Sequence, residues 1–219
     1  MSTDAGPVVV LHGPGDVDGG TGWRGALEAL GCTAVGPTLA GHAGKPAPVG
    51  GTHDLADPAY RAAAVLTDDQ VTSARAVMGV GASGWSATVM AVAGVGAALV
   101  LVDGLGDPWT ALEDRLARRR SRLRRIADVA TGAAPMPQEP APGLDVSVAW
   151  WPDPIGDREL VLTMVAALTV PALIVRSPAS EFPDPEIVDA FGAGADVVEV
   201  ADASPPTVAP VIDAWLAGR

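Results

Sequence analysis

The chain has 219 residues and a formal net charge of −12 at pH 7. This length is enough for one domain with a sizeable core, and no long Ser- or Gly-rich linker divides the chain. The acidic balance argues against general affinity for nucleic acid or for an anionic membrane surface, because both need a basic face. The one cysteine, Cys32, excludes an intramolecular disulfide.

Short apolar runs alternate with helical segments along the chain. The runs are continuous rather than alternating, which is typical of strands buried on both faces of a parallel sheet. We therefore predict an α/β doubly wound fold with a mostly parallel sheet flanked by helices. The predicted strands are residues 8–11, 33–35, 77–80, 98–102, 172–175 and 197–200. The predicted helices are residues 22–30, 58–66, 83–95, 108–130, 157–168 and 206–216.

Neither a leader nor a membrane span is predicted. Residues 1–4 lack the positive region and the apolar core of a signal peptide. The most apolar run, residues 88–102, is shorter than the roughly 20 apolar residues that cross a bilayer. We therefore expect a cytoplasmic protein with no membrane partner.

The strand and helix rhythm breaks in a proline-rich region, residues 132–154. The preceding segment is basic, because residues 115–125 hold seven of the 14 Lys and Arg residues. We predict that residues 108–154 form a lid over the carboxyl ends of the strands, where open α/β sheets bind ligands. Residues 1–107 and 155–219 then form the core of a single domain. The arginines suit a clamp for an anionic group, a solvated helix paired with the acidic core, or a partner interface.

Residues 77–87 run from an apolar strand through a glycine-flanked serine into a helix. Residues 81–84, Gly-Ala-Ser-Gly, match the first four positions of the G-x-S-x-G nucleophile elbow, and Trp85 stands at the fifth. A sharp turn of this kind strains the backbone of the serine. The match therefore predicts a strained, nucleophilic Ser83.

Two further stretches accompany this elbow in order. Residues 11–15, Leu-His-Gly-Pro-Gly, follow the first strand, and residues 36–44 follow the second. With these motifs the chain resembles the α/β-hydrolase superfamily over nearly its whole length, residues 8–216. The family's two N-terminal antiparallel strands have no counterpart, so the resemblance implies a six-stranded core.

The chemistry of that family needs a serine activated by histidine, a carboxylate that orients the histidine, and backbone N–H donors for the oxyanion. The resemblance assigns Ser83 as the nucleophile and the Gly84 N–H as one oxyanion donor. It offers two placements for the acid, one after the fifth strand and one after the fourth. The candidates are Glu181 or Asp184 in the first placement and Asp103 or Asp107 in the second, each of which also suits a solvated loop carboxylate.

The catalytic histidine of the family follows the last strand, but residues 200–207 contain none. His12, next to Gly13 in the oxyanion loop, either replaces it as the base or braces its loop. The resemblance gives His42 a structural role in a turn, and His53 is expected to be exposed. None of the three therefore occupies the family position of the base.

The oxyanion loop departs from the family as well. Pro14 stands where a backbone N–H often completes the oxyanion hole, and proline has none. Only a shift that brings in Gly15 would restore the donor. Loss of one such donor costs on the order of 3 kcal/mol in the transition state.

These departures predict a degenerate or non-hydrolytic protein that binds a small molecule under the lid, with Ser83 as a hydrogen-bonding residue. Trp85 and Trp109 either line the pocket or pack in core and lid. The alternative is an active serine hydrolase of an ester, thioester or lactone. No metal or other cofactor is predicted, because the histidines are scattered. The glycines at 79, 81 and 84 also match the spacing of a nucleotide fingerprint, but no acidic residue ends a following strand until Asp103.

Overall fold

The structure, a computed structural model, describes residues 6–13, 16–46, 57–105, 131, 158–178 and 189–219. The strands in these ranges are β1 (Val8–Leu11), β2 (Ala34–Val35), β3 (Ala76–Val80), β4 (Leu99–Val102), β5 (Ala172–Arg176) and β6 (Ala195–Glu199). They form one six-stranded sheet in the order β2-β1-β3-β4-β5-β6, and every neighbouring pair is parallel. The predicted α/β fold with a parallel sheet is confirmed.

Six α-helices are described in the same ranges. They are α1 (Thr21–Glu28), α2 (Asp57–Val65), α3 (Asp68–Ser73), α4 (Gly84–Val92), α5 (Arg158–Ala166) and α6 (Pro205–Ala217). The short helix α3 was not predicted, because its sequence has no apolar periodicity. It begins with a capping box, in which the Thr67 side chain accepts the Gln70 N–H and the Gln70 side chain accepts the Thr67 N–H. The predicted helix at 108–130 and the lid at 108–154 lie outside the described residues.

The sheet is covered on both faces. Successive side chains of a strand point to opposite faces, so Val9 and Leu11 join one apolar cluster while Val8 and Val10 join the other. The first cluster includes residues of α2, α4 and α5, and the second includes residues of α1 and α6. This layering explains why the central strands are continuous apolar runs.

The last strand differs from its prediction. We expected residues 197–200 to be buried on both faces, but β6 is the edge strand and Val197 is 42% exposed. Three of its five residues are exposed and two are half-buried, because β5 is its only described neighbour in the sheet. The apolar run therefore predicted the strand correctly and its burial wrongly.

The strand order reverses next to β1. The chain passes outward from β1 to β2 and then returns to the other side of β1 to form β3. In open α/β sheets, ligands bind outside the carboxyl ends of the strands at this reversal. The segments that leave β1 and β3 there begin with His12 and Gly81.

Candidate functional site

The turn after β3 does not have the geometry that we predicted for it. Gly81–Ser83 form a single 3-10 turn, and α4 begins at Gly84. The expected strain at Ser83 is wrong, because this residue has φ −73° and ψ −7°, in an ordinary right-handed region. The positive φ, +54°, belongs to Gly81, which has no Cβ to clash. The left-handed position of the turn is thus two residues before the serine.

The Ser83 side chain points into the protein. Ser83 is 2% exposed, and its hydroxyl donates to the carbonyl oxygen of His12 at 2.7 Å. This bond joins the loops that follow β1 and β3. A nucleophilic serine instead gives its proton to the ring nitrogen of a base.

The ring of His12 is fully buried and bonded on both sides. Its Nε2 accepts the backbone N–H of Leu39 at 2.9 Å, and its Nδ1 lies 3.0 Å from the carbonyl oxygen of Gly13. A backbone N–H can only donate, so Nε2 is the acceptor and the proton resides on Nδ1. Burial lowers the pKa of His12 to about 4, so the ring is neutral at pH 7. These contacts support the bracing role rather than the role of a base.

A second histidine packs against the first. The rings of His12 and His42 meet edge to face, with centroids 4.8 Å apart and planes at 66°. His42 is 1% exposed, and its Nδ1 lies 3.0 Å from the carbonyl oxygen of Ala40 within its own turn. This placement supports the structural role that the resemblance gave to His42.

Glycines allow the turn after β3 to pack backbone against backbone. A Cβ on Gly79 would lie 2.6 Å from the Gly84 Cα, and one on Gly84 would lie 2.2 Å from the carbonyl oxygen of Gly104. Both distances are far shorter than real Cβ contacts. The Gly84 N–H donates to the carbonyl of Gly81, so the expected oxyanion donor is engaged inside the turn.

Asp103 follows β4 with a φ of +56°. One of its carboxylate oxygens accepts the Ser177 N–H at 2.6 Å, and the other accepts the Ser177 hydroxyl. We did not identify Ser177 from the sequence. The available signal was its place directly after β5, because β4 and β5 are parallel neighbours whose carboxyl ends meet at one edge.

We expect Asp103→Ala to lower the free energy of unfolding by about 2 kcal/mol, because charge-assisted hydrogen bonds contribute about 1.5–3 kcal/mol. Asp103→Asn should lose about half as much, since the amide oxygen still accepts one bond and asparagine tolerates a positive φ. Urea denaturation of both variants measures the difference. An unchanged free energy of unfolding in Asp103→Ala would contradict a role for the carboxylate in tying the two loops.

The remaining candidates divide into one core residue and several outside the described ranges. Trp85 is 4% exposed and belongs to the apolar cluster beneath α4, which supports core packing over a place in the pocket. Outside the described residues lie Pro14, Gly15, His53, Asp107, Trp109, Glu181 and Asp184.

No three His, Cys, Asp or Glu side chains in the described ranges are placed to hold a metal ion together. None of the helices described there combines the length and the apolar character needed to cross a membrane.

Several solved structures resemble this fold. A thioesterase domain from the curacin biosynthetic pathway has a TM-score of 0.70 at 16% identity, with 100% of this chain and 93% of that chain covered. An alpha/beta hydrolase from Sphaerobacter thermophilus has a TM-score of 0.61 at 17% identity, with 96% and 92% covered. An enol-lactonase from Burkholderia xenovorans has a TM-score of 0.61 at 19% identity, with 97% and 89% covered.

Comparison of the sequence itself gives no such relatives. No protein-family model matches it, and no curated protein matches it. The fold is therefore assigned from the sheet order, from the helices on both faces and from the similarity to solved hydrolases. On these grounds the protein has the α/β-hydrolase fold.

Proposed function

We propose that the protein binds a small acyl compound at the carboxyl ends of β1 and β3 and does not hydrolyse it. The observation that carries this proposal is the hydrogen bonding of Ser83 and His12. The serine donates to a backbone carbonyl, and both nitrogens of the histidine ring face backbone groups. Neither side chain is arranged to pass a proton to the other, as hydrolysis by a serine and a histidine requires.

The segment after β6 supports the same conclusion. In the family that the chain resembles, the catalytic histidine follows the last strand. Here the chain passes from β6 to α6 through residues 200–204, which contain no histidine. The side chain of Asp202 accepts the Ser204 N–H at 2.9 Å just before α6 begins. This segment thus turns into a helix and supplies no histidine.

The similar structures suggest the class of ligand. They include a thioesterase domain and an enol-lactonase, whose names indicate thioester and lactone substrates. A protein that kept the binding surface but lost the proton transfer would hold such compounds intact. We include residues 108–154 in the proposal as the cover of the site, with Trp109 at its lining.

The competing function is an active serine hydrolase that uses Ser83 and His12. For this chemistry the serine hydroxyl must leave the His12 carbonyl, and the His12 Nε2 must release the Leu39 N–H. Each buried polar group left without a partner costs about 1–3 kcal/mol. The observed contacts therefore favour binding over hydrolysis.

Labelling with a fluorophosphonate probe tests the loss of hydrolysis. We expect no stoichiometric labelling of the wild-type protein, because the Ser83 hydroxyl has no base to activate it. A known serine esterase in the same reaction is the positive control. Labelling that disappears in both Ser83→Ala and His12→Ala would contradict the proposal and establish the hydrolase.

Binding is measured separately, by thermal unfolding with a panel of short esters, thioesters and lactones. A ligand that binds only the folded state raises the melting temperature with its concentration. We expect at least one class to do so and to be recovered intact by mass spectrometry. If no class raises it, or if the bound compound is recovered hydrolysed, the proposal is wrong.

A further inference from the structure

The turn after β3 contains two positions that could correspond to the nucleophile of an elbow. In a nucleophile elbow, the reactive residue has the strained backbone, and its side chain is exposed above the sheet. Ser83 has neither property, because its φ is −73° and it is 2% exposed. Gly81 directly follows β3 and has the left-handed φ of +54°.

The space around the two positions separates them further. A Cβ built on Gly81 meets no heavy atom of the described residues within 4 Å. Ser83 is instead enclosed, with its hydroxyl bonded to the His12 carbonyl at 2.7 Å. Of these two positions, 81 is therefore the one at which a side chain would be clear of the described residues at the reversal of the strand order.

The small residues of the turn also fit an elbow centred on position 81. The motif has small residues two positions before and two positions after the nucleophile, because the backbone there is crowded. Gly79 lies two residues before Gly81, and Ser83 lies two residues after Gly81. A Cβ on Gly79 would lie 2.6 Å from the carbonyl oxygen of Ser83. The crowded pair thus flanks residue 81, and Ser83 is the second small residue of the motif.

We propose that residue 81, and not Ser83, occupies the nucleophile position of the elbow, and that glycine there has removed covalent catalysis. This inference rests on the proposed function and deepens it. An acyl compound bound over Gly81 would face a position that has no side chain. The ligand would be held without covalent attack by this residue on its carbonyl carbon, even if a base were supplied from elsewhere.

Thiol labelling locates the exposed position without any knowledge of the ligand. Two variants are made in a Cys32→Ser background, Gly81→Cys and Ser83→Cys, and intact mass follows their reaction with N-ethylmaleimide. We expect Gly81→Cys to react at least tenfold faster than Ser83→Cys, and the background protein not to react. Equal rates, or faster reaction of Ser83→Cys, would overturn the proposal.

A second variant at position 81 keeps the proposal testable if Gly81→Cys does not fold. Asparagine tolerates left-handed backbone, so Gly81→Asn should remain folded and should melt at a higher temperature than Gly79→Ala. If both variants at position 81 unfold as readily as Gly79→Ala, position 81 is not open and the proposal is wrong.

The two proposals fail in different ways. Ester turnover by the wild-type protein that persists in Ser83→Ala would contradict the loss of hydrolysis and leave the position of residue 81 intact. Slow labelling of Gly81→Cys, with no turnover by the wild-type protein, would contradict only the assignment of residue 81.

Discussion

Gly84→Ala is expected to lower the free energy of unfolding by at least about 3 kcal/mol, the upper end of the usual range for overpacking. The added Cβ would lie 2.2 Å from the carbonyl oxygen of Gly104 and 3.1 Å from the Leu105 Cα. These neighbours are backbone atoms, so no rotation of a side chain can make room. Urea denaturation followed by circular dichroism measures the loss, and a low soluble yield would itself be consistent with it.

The matched control is Gly25→Ala. Gly25 lies on the exposed side of α1, and a Cβ there meets no described atom within 4 Å. Alanine in the middle of a helix is favoured over glycine by about 0.5–1 kcal/mol, so this variant should be slightly more stable than the wild type. If Gly84→Ala were as stable as Gly25→Ala, the close packing of α4 against the segment after β4 would be refuted.

Acidification is expected to destabilise the protein through His12. The pKa of this residue is lowered to about 4 in the folded state, chiefly by burial, whereas an unfolded histidine titrates near 6.5. As the pH falls below about 6.5, the unfolded chain takes up a proton that the folded protein excludes. The stability is therefore complete above about 6.5 and falls by about 3 kcal/mol as the pH approaches 4.

Asp16 acts in the opposite direction over part of this range. Burial, together with a hydrogen bond to Asp18, raises the pKa of Asp16 to about 6. Between about pH 4 and 6 the folded state therefore holds a proton at Asp16 that the unfolded state has lost, and acidification adds stability. The contribution of His12 is best measured in an Asp16→Asn background.

We compare the Asp16→Asn variant with the double variant that also carries His12→Gln. Glutamine does not titrate, so the free energy of unfolding of this variant should vary less between pH 6.5 and 4, although it is lower at pH 7.5. Urea denaturation at several pH values gives both profiles. Two profiles with the same slope would exclude His12 as the source of the acid sensitivity.

The fold could be predicted from the sequence because the central strands are buried on both faces and therefore consist of continuous apolar residues. The prediction matched β1 to the residue, and the other strands deviated by one or two residues. Burial of β6 was mispredicted because nothing in an apolar run reveals whether a strand lies at the edge. Helix α3 was missed because a capping box, not an apolar stripe, defines it.

The site was harder to predict than the fold. The turn after β3 contains overlapping patterns of small residues. The amino-acid sequence alone favoured Ser83, because a serine is the expected nucleophile. The backbone angle that distinguishes Gly81 is a property of the folded chain. The acceptor role of His12 was equally hidden, since its partner is a backbone N–H at residue 39. Every residue except proline carries the same backbone N–H, so no sequence motif marks such a donor.

The bond between His12 and Leu39 also bears on how the loops after β1, β2 and β3 can open. It joins the segment after β1 to the segment after β2. The Ser83 hydroxyl, which donates to the carbonyl oxygen of the same histidine, joins the turn after β3 to them. Three loops that are distant in sequence thus converge on one residue. Local unfolding that frees any of them removes a hydrogen-bond partner from a neighbour, so the three should open as one cooperative unit. The three loops would then be either all closed or all open, with no partly open form in which one loop moves alone.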